Sequence, residues 1–139
     1  MRFTPFILAF GLLAGCATKD DSRLQGTWRS NREATVAAAF QRDPRWTNAP
    51  PEKVARFSEM FGQMVVTYSN GMASSTFRGE TGSFRYRVVQ GGSDFIVIRS
   101  DAPMDKGRDI RLRFADSGRA YWITSPFGPE ERFDRVDAR

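Results

Sequence analysis

The chain has 139 residues, with 21 Lys and Arg against 16 Asp and Glu, one Cys and no His. That length suits a single domain. One Cys excludes an internal disulfide, and the lack of His excludes histidine-dependent catalysis and zinc sites of the His/Cys kind. The basic residues are spread in ones and twos, not gathered in an arm, so no nucleic-acid partner is expected.

Met1 and Arg2 form a short positive start, and residues 3–13 are mostly apolar. At about eleven residues this run is too short to cross a bilayer, which takes roughly 20. It fits the apolar region of a secretory signal peptide. Leu13-Ala14-Gly15-Cys16 follows, at the end of that run, and uses the only Cys. These four residues resemble the lipobox of bacterial lipoproteins. The resemblance implies a signal peptide over 1–15, removed before Cys16, and a diacylglyceryl group with palmitate-type chains on the Cys16 sulfur. It also implies attachment to a membrane. Ala17, where an Asp would retain the chain at the inner membrane, implies the outer membrane, facing the periplasm. Loss of Arg2 from the 21 basic residues leaves 20 against 16 acidic ones, a net charge of +4. Residues 16–23 read as the lipidated Cys and a polar tether, with a reach of at most ~23 Å.

Residues 24–30 read as a strand. Ser30 and Glu33 then fit a capping box, with Ser30 as the cap. An alanine-rich helix follows over 34–41, with Val36 and Phe40 four apart, and Asp43-Pro44 ends it. Residues 45–49 are a loop. Pro50-Pro51 opens a second helix, with Val54, Phe57 and Phe61 on one stripe and Gly62 at its C-terminal cap. This stripe is expected to pack on the rest of the domain as a lid or plug.

From Gln63 the period becomes two. Strands 63–69 and 72–78 flank Asn70-Gly71, whose two positive-φ positions suit a type I′ hairpin turn. That turn pairs Met64 with Phe77, Val66 with Ser75 and Tyr68 with Ala73. Residues 79–82 turn the chain, and 83–90 alternate Phe84, Tyr86 and Val88 inward with Arg85 and Arg87 outward. Residues 94–100 are apolar on both faces, so their inward side is open. Residues 109–115 put Ile110, Leu112 and Phe114 inward and Arg111 and Arg113 outward. Residues 119–125 and 130–136 are the last two strands.

Eight short strands joined mostly by tight turns predict an all-β, up-and-down antiparallel barrel with two short helices between the first and second strands. The opening Leu24-Gln25-Gly26-Thr27-Trp28 resembles the Gly-x-Trp motif of the calycin superfamily, which includes the lipocalins. The resemblance implies a lipocalin-like domain over 24–136. In it Gly26 and Trp28 close one barrel end, with a last-strand Arg across the Trp. Arg132 and Arg135 are both placed for that part.

Site chemistry is sparse. Glu130 and Glu131 are adjacent on a strand, so they point to opposite faces and cannot flank one bond. Asp101, Asp105 and Asp109 lack a calcium-loop spacing, and Ser74-Ser75 has no activating partner. No enzyme activity, metal or cofactor is expected. Arg85, Arg87, Arg99, Arg111 and Arg113 form either a solvated face or a basic patch for anionic lipid head groups or an acidic partner.

Two functions then compete. In the first, an envelope lipoprotein binds a small apolar or amphipathic ligand in a barrel lined by Tyr68, Phe77, Phe84, Tyr86 and Trp122. In the second, the same aromatics fill the barrel, and its surface holds another envelope component. An eight-stranded barrel admits either interior.

Overall fold

The computed structural model describes residues 20–105, 107–124 and 128–136. Cys16 and the leader lie outside the described residues, as do residues 125–127 between the last two strands. Eight strands close into one antiparallel barrel: β1 (Gly26–Ser30), β2 (Met64–Ser69), β3 (Met72–Phe77), β4 (Glu80–Gly91), β5 (Phe95–Ser100), β6 (Asp109–Ala115), β7 (Ala120–Thr124) and β8 (Glu130–Arg135). Each strand pairs with its chain neighbours, and β8 returns to β1 through Trp28↔Arg135 and Ser30↔Phe133. Closure leaves no edge strand. Helices α1 (Arg32–Arg42) and α2 (Pro51–Glu59) lie between β1 and β2, joined through a 3-10 turn at Pro44–Trp46.

The hairpin chemistry explains the register. Asn70 and Gly71 have φ of 50° and 77°, as a type I′ turn demands. The turn pairs Met64 with Phe77, Val66 with Ser75 and Tyr68 with Ala73, as expected. Arg78 and Gly79 repeat the device with φ of 50° and 83°. The expected turn over 79–82 is therefore tighter, and β4 starts at Glu80 instead of Ser83. A bulge between Val88 and Gln90 lets the long β4 follow the curve of the barrel.

β5 resolves its parity through pairing with β4 and β6. Ile96 and Ile98 enter the core, while Phe95 faces outward beneath the Arg111 guanidinium, 3.8 Å from the ring centroid. The helix start also differs from the expected one. Asn31, not Ser30, caps α1 by accepting the Ala34 N–H at 2.9 Å. Ser30 is still in β1, and its hydroxyl is taken by Glu131 and by the Gly62 N–H.

The helices are neither a lid nor a plug. α1 lies along the outer wall of β8. The Asn31 N–H donates to the Arg132 carbonyl at 2.8 Å, and the Thr35 hydroxyl accepts the Arg132 N–H at 3.0 Å. α2 packs on α1 through a second apolar cluster of Ala39, Phe57 and Phe61, flanked by Phe40, Trp46 and Met60. The main core, inside the barrel, is a separate cluster.

Candidate functional site

One barrel end is closed by the segment that leads into β1. Leu24 is fully buried, and the Trp28 indole N–H donates to its carbonyl at 2.7 Å. Arg135 completes the closure. Its guanidinium lies 4.3 Å from the Trp28 ring centroid and donates to the carbonyls of Gln25 and Arg23, both at 2.6 Å. Gly26 has φ of +110°, and a Cβ there would stand 3.1 Å from the Arg135 guanidinium. The backbone shape and the guanidinium together require glycine. Of the two arginines open to this role, Arg135 takes it. Arg132 points outward to Asp116 and Asp134, because alternate residues of a strand take opposite faces.

The last residues of the expected tether, 20–23, are held against the domain. Asp20 and Asp21 are bonded into the domain: Asp20 accepts from the Tyr86 hydroxyl at 2.5 Å, and Asp21 pairs with Arg23 at 2.9 Å. That pairing holds the Asp21 carboxyl below its usual range. Arg23 also donates to the carbonyls of Gly92 and Ser93, at 2.7 and 3.1 Å.

The interior is occupied by its own side chains. Tyr86 on β4 meets Tyr68 on β2 edge-on at 5.3 Å between ring centroids. The Tyr68 and Tyr121 hydroxyls stand 3.5 Å apart. Tyr121 on β7 then stacks on Phe133 of β8 at 5.2 Å and leans on Trp28 at 4.8 Å. In a ring of eight strands β4 and β8 are opposite, so this chain of rings crosses the barrel from wall to wall. Val66, Ile96, Ile98 and Leu112 fill the space around it. Burial pushes the Tyr68 hydroxyl up to about 12 and raises those of Tyr86 and Tyr121 as well, so all three are neutral hydrogen-bonding groups.

The five aromatics expected to line a binding cavity do not act together. Tyr68 and Tyr86 are buried in the core. Phe84 is half-buried against it. Phe77 is half-buried at the end of β3, with Arg78 over its ring at 5.2 Å. Trp122 is a correction: it faces outward, with Arg42 and Arg132 each 5.9 Å from its ring centroid. β7 offers Tyr121 and Trp122 side by side, and pairing with β6 and β8 turns Tyr121 inward. Alternation along β7 therefore left Tyr121 undistinguished from Trp122, while Phe133 stands alone among the charged residues of β8.

Glu130 and Glu131 do take opposite faces. Glu131 points inward, is 8% exposed and accepts from the Ser30 hydroxyl. Burial raises its carboxyl above the usual range, against the Ser30 hydrogen bond. Glu130 points outward, and Arg42 and Arg113 bind it at 2.6 and 3.1 Å. Burial works to raise it, but the two guanidinium groups more than offset this and leave it lowered.

Two hollows lie beside the helices, on the outside of the barrel. One is an open groove of about 430 Å³ lined by Ala39, Arg42, Trp46, Phe57, Met60 and Glu130. Its floor is aromatic: Trp46 is 4.3 Å from Phe57 and 5.4 Å from Phe40 between ring centroids. The other, of about 480 Å³, is polar and runs past Arg29, Asn31, Arg32 and Asp134. Among the described residues no three of His, Cys, Asp and Glu gather where they could hold a metal ion.

Comparison with protein-family models, with curated proteins and with solved structures finds no match to this chain. The class of the protein therefore rests on its own strands: a closed, eight-stranded, up-and-down antiparallel barrel with a helix pair on one outer wall.

Proposed function

We propose that this chain is an envelope lipoprotein, anchored through Cys16 to the outer membrane, whose filled barrel is a non-enzymatic interaction module. Its working surface is the outer one, and the helical groove holds an envelope protein partner. The observation that carries this reading is the chain of rings from Tyr86 through Tyr68 and Tyr121 to Phe133. A small apolar ligand inside the barrel would have to part Tyr68 from Tyr121 and displace side chains packed at interior density. The aromatic groove around Trp46 needs no such opening, and its mixed rim of Arg42, Asp43 and Glu130 resembles the polar rim of a protein interface.

Three measurements test the proposal. Delipidated protein should show no bound small molecule in native mass spectrometry and no displacement of a fluorescent fatty acid. Saturable displacement that Tyr68→Ala alters would restore the ligand reading. In cells, a photocrosslinker at Met60 should capture one discrete partner, and Trp46→Ala should weaken the capture. Radiolabelled palmitate should enter the wild-type chain and not Cys16→Ala. A chain labelled equally without Cys16 would remove the anchor.

A further inference from the structure

The outer wall of β4, β5 and β6, which meets the helices only at its β6 margin, has a different chemistry. From Arg85 onward, the paired parts of β4, β5 and β6 carry Arg85, Arg87, Arg99, Arg111 and Arg113 outward, with Asp109 as the one acid among them and Glu80 at the far start of β4. Asp109 binds Arg99 at 2.7 Å, and Arg113 reaches Glu130 on β8. Arg85, Arg87 and Arg111 are exposed and have no ion pair among the described residues. The nearby turns add Asp94, Asp101 and Asp105. Asp101 is engaged with the Arg85 backbone N–H at 2.7 Å.

Arg87 and Arg99 are direct cross-strand partners. Like charges placed opposite each other destabilise a ladder. Asp109, next in that row, binds Arg99 and also attracts Arg87, so two guanidinium groups share a single carboxylate and an external anion would balance the second.

Exposed apolar side chains border the same wall. Met72 is paired with Arg85 and is 42% exposed, and Val89 at the β4 bulge is 40% exposed. Met104, in the loop from β5 to β6, is 68% exposed. Single exposed apolar residues are ordinary. Three around one row of arginines make the pattern of an interfacial surface, with basic groups for phosphates and short apolar groups for the acyl boundary.

The chain entering the barrel also arrives on this side. Arg23 is fastened to the β4–β5 turn through the Gly92 and Ser93 carbonyls, and its guanidinium lies 5.0 Å from the Phe114 ring of β6. Cys16 is seven residues earlier in the chain.

We propose that the outer face of β4–β6 is a docking surface for an anionic membrane, with Arg85, Arg87 and Arg111 on lipid phosphates and Met72, Val89 and Met104 at the headgroup boundary. The barrel then lies on its β4–β6 wall, close to its anchor, and turns the α1–α2 groove away from the membrane toward its partner. The direction of the groove rests on the membrane address proposed above. The docking itself does not, and it is read without the acyl chains.

The test uses the 16–139 chain with Cys16→Ser, which contains the whole described barrel and carries no lipid. It is sedimented with vesicles of phosphatidylcholine alone, or of phosphatidylcholine with phosphatidylglycerol, at low and high salt. Binding should appear only with the anionic vesicles and fall away at high salt. R85E/R87E should lower the partition coefficient at least about twentyfold, since each surface arginine contributes roughly fivefold. M72S/V89S should give a smaller loss, and Trp46→Ala none. Arg87→Glu faces Arg99, so folding should be kept; R85Q/R87Q repeats the measurement if circular dichroism says otherwise. Equal binding to both vesicles, or unchanged binding of both double variants, would overturn the proposal. So would no binding at low salt, which would leave the face to an acidic protein. Loss of palmitate labelling with vesicle binding intact would strike the anchor and not this surface.

Discussion

The barrel interior and the helical shelf are both aromatic, yet they are built in opposite ways. The interior brings together rings from β1, β2, β4, β7 and β8, and their polar tips are satisfied by one another, by the backbone or, for Tyr86, by Asp20. The shelf is local: Phe40, Trp46, Phe57 and Phe61 come from one stretch of chain, and Trp46 is only half-buried. A core of long-range contacts holds the fold and packs its rings against one another. A local cluster with one face open holds little of the fold and can meet a partner. Under the proposed function, stability and recognition are carried by different aromatics.

Trp28→Ala should break the comparison most severely. It removes a fully buried ring, leaves a void and strands the Arg135 guanidinium. Urea unfolding should show a loss of about 3–5 kcal/mol. Arg135→Ala comes next. It leaves the carbonyls of Gln25 and Arg23 without their donor and uncovers Trp28, so a loss of roughly 2–3 kcal/mol is expected by the same measurement. Arg132→Ala should cost clearly less, because its partners Asp116 and Asp134 are in contact with water. If the two arginine variants lose equal stability, the closure does not depend on Arg135.

Trp46→Ala sharpens the other side. Its half-buried ring should contribute at most about 1–2 kcal/mol. The thermal transition should therefore move little while crosslinked partner is lost. A collapse of the barrel on this change would show that the shelf is part of the core.

The smallest effect expected at neutral pH is a gain. Glu131 has a folded-state pKa raised above its ordinary 4.5 by burial. The native state therefore binds its proton more tightly than the unfolded chain does. This contribution is fully present below about pH 4.5 and is lost as pH rises through the raised value. Glu131→Gln keeps an acceptor for the Ser30 hydroxyl without the buried charge. Its melting temperature should exceed wild type above that window and converge with it below. A wild-type advantage at neutral pH would mean that the carboxylate is better solvated than its burial implies.

Several features were legible before any fold was known. The Asn70-Gly71 turn, the inward Phe84, Tyr86 and Val88, and the outward Arg111 and Arg113 follow from turn torsions and a period of two. Both are local properties. The same holds for the opposite faces of Glu130 and Glu131. The Ser30 cap failed because Asn31 offers the same chemistry one residue later, and Ser30 is needed by Glu131 and Gly62. Trp122 failed because Tyr121 and Trp122 are equally bulky neighbours, so alternation alone cannot choose between them.

The sequence by itself determined the number of strands, most of their boundaries and the placing of two helices between the first and second strands. Those depend on residues close in the chain. Only the tertiary structure decided that Arg135 and not Arg132 covers Trp28, that the helices lie on β8, and that rings from five strands meet inside the barrel. Each of these depends on which strands meet across the ring. Whether Tyr68 and Tyr121, 53 residues apart, share one interior point is a matter of register and closure, which no local pattern encodes.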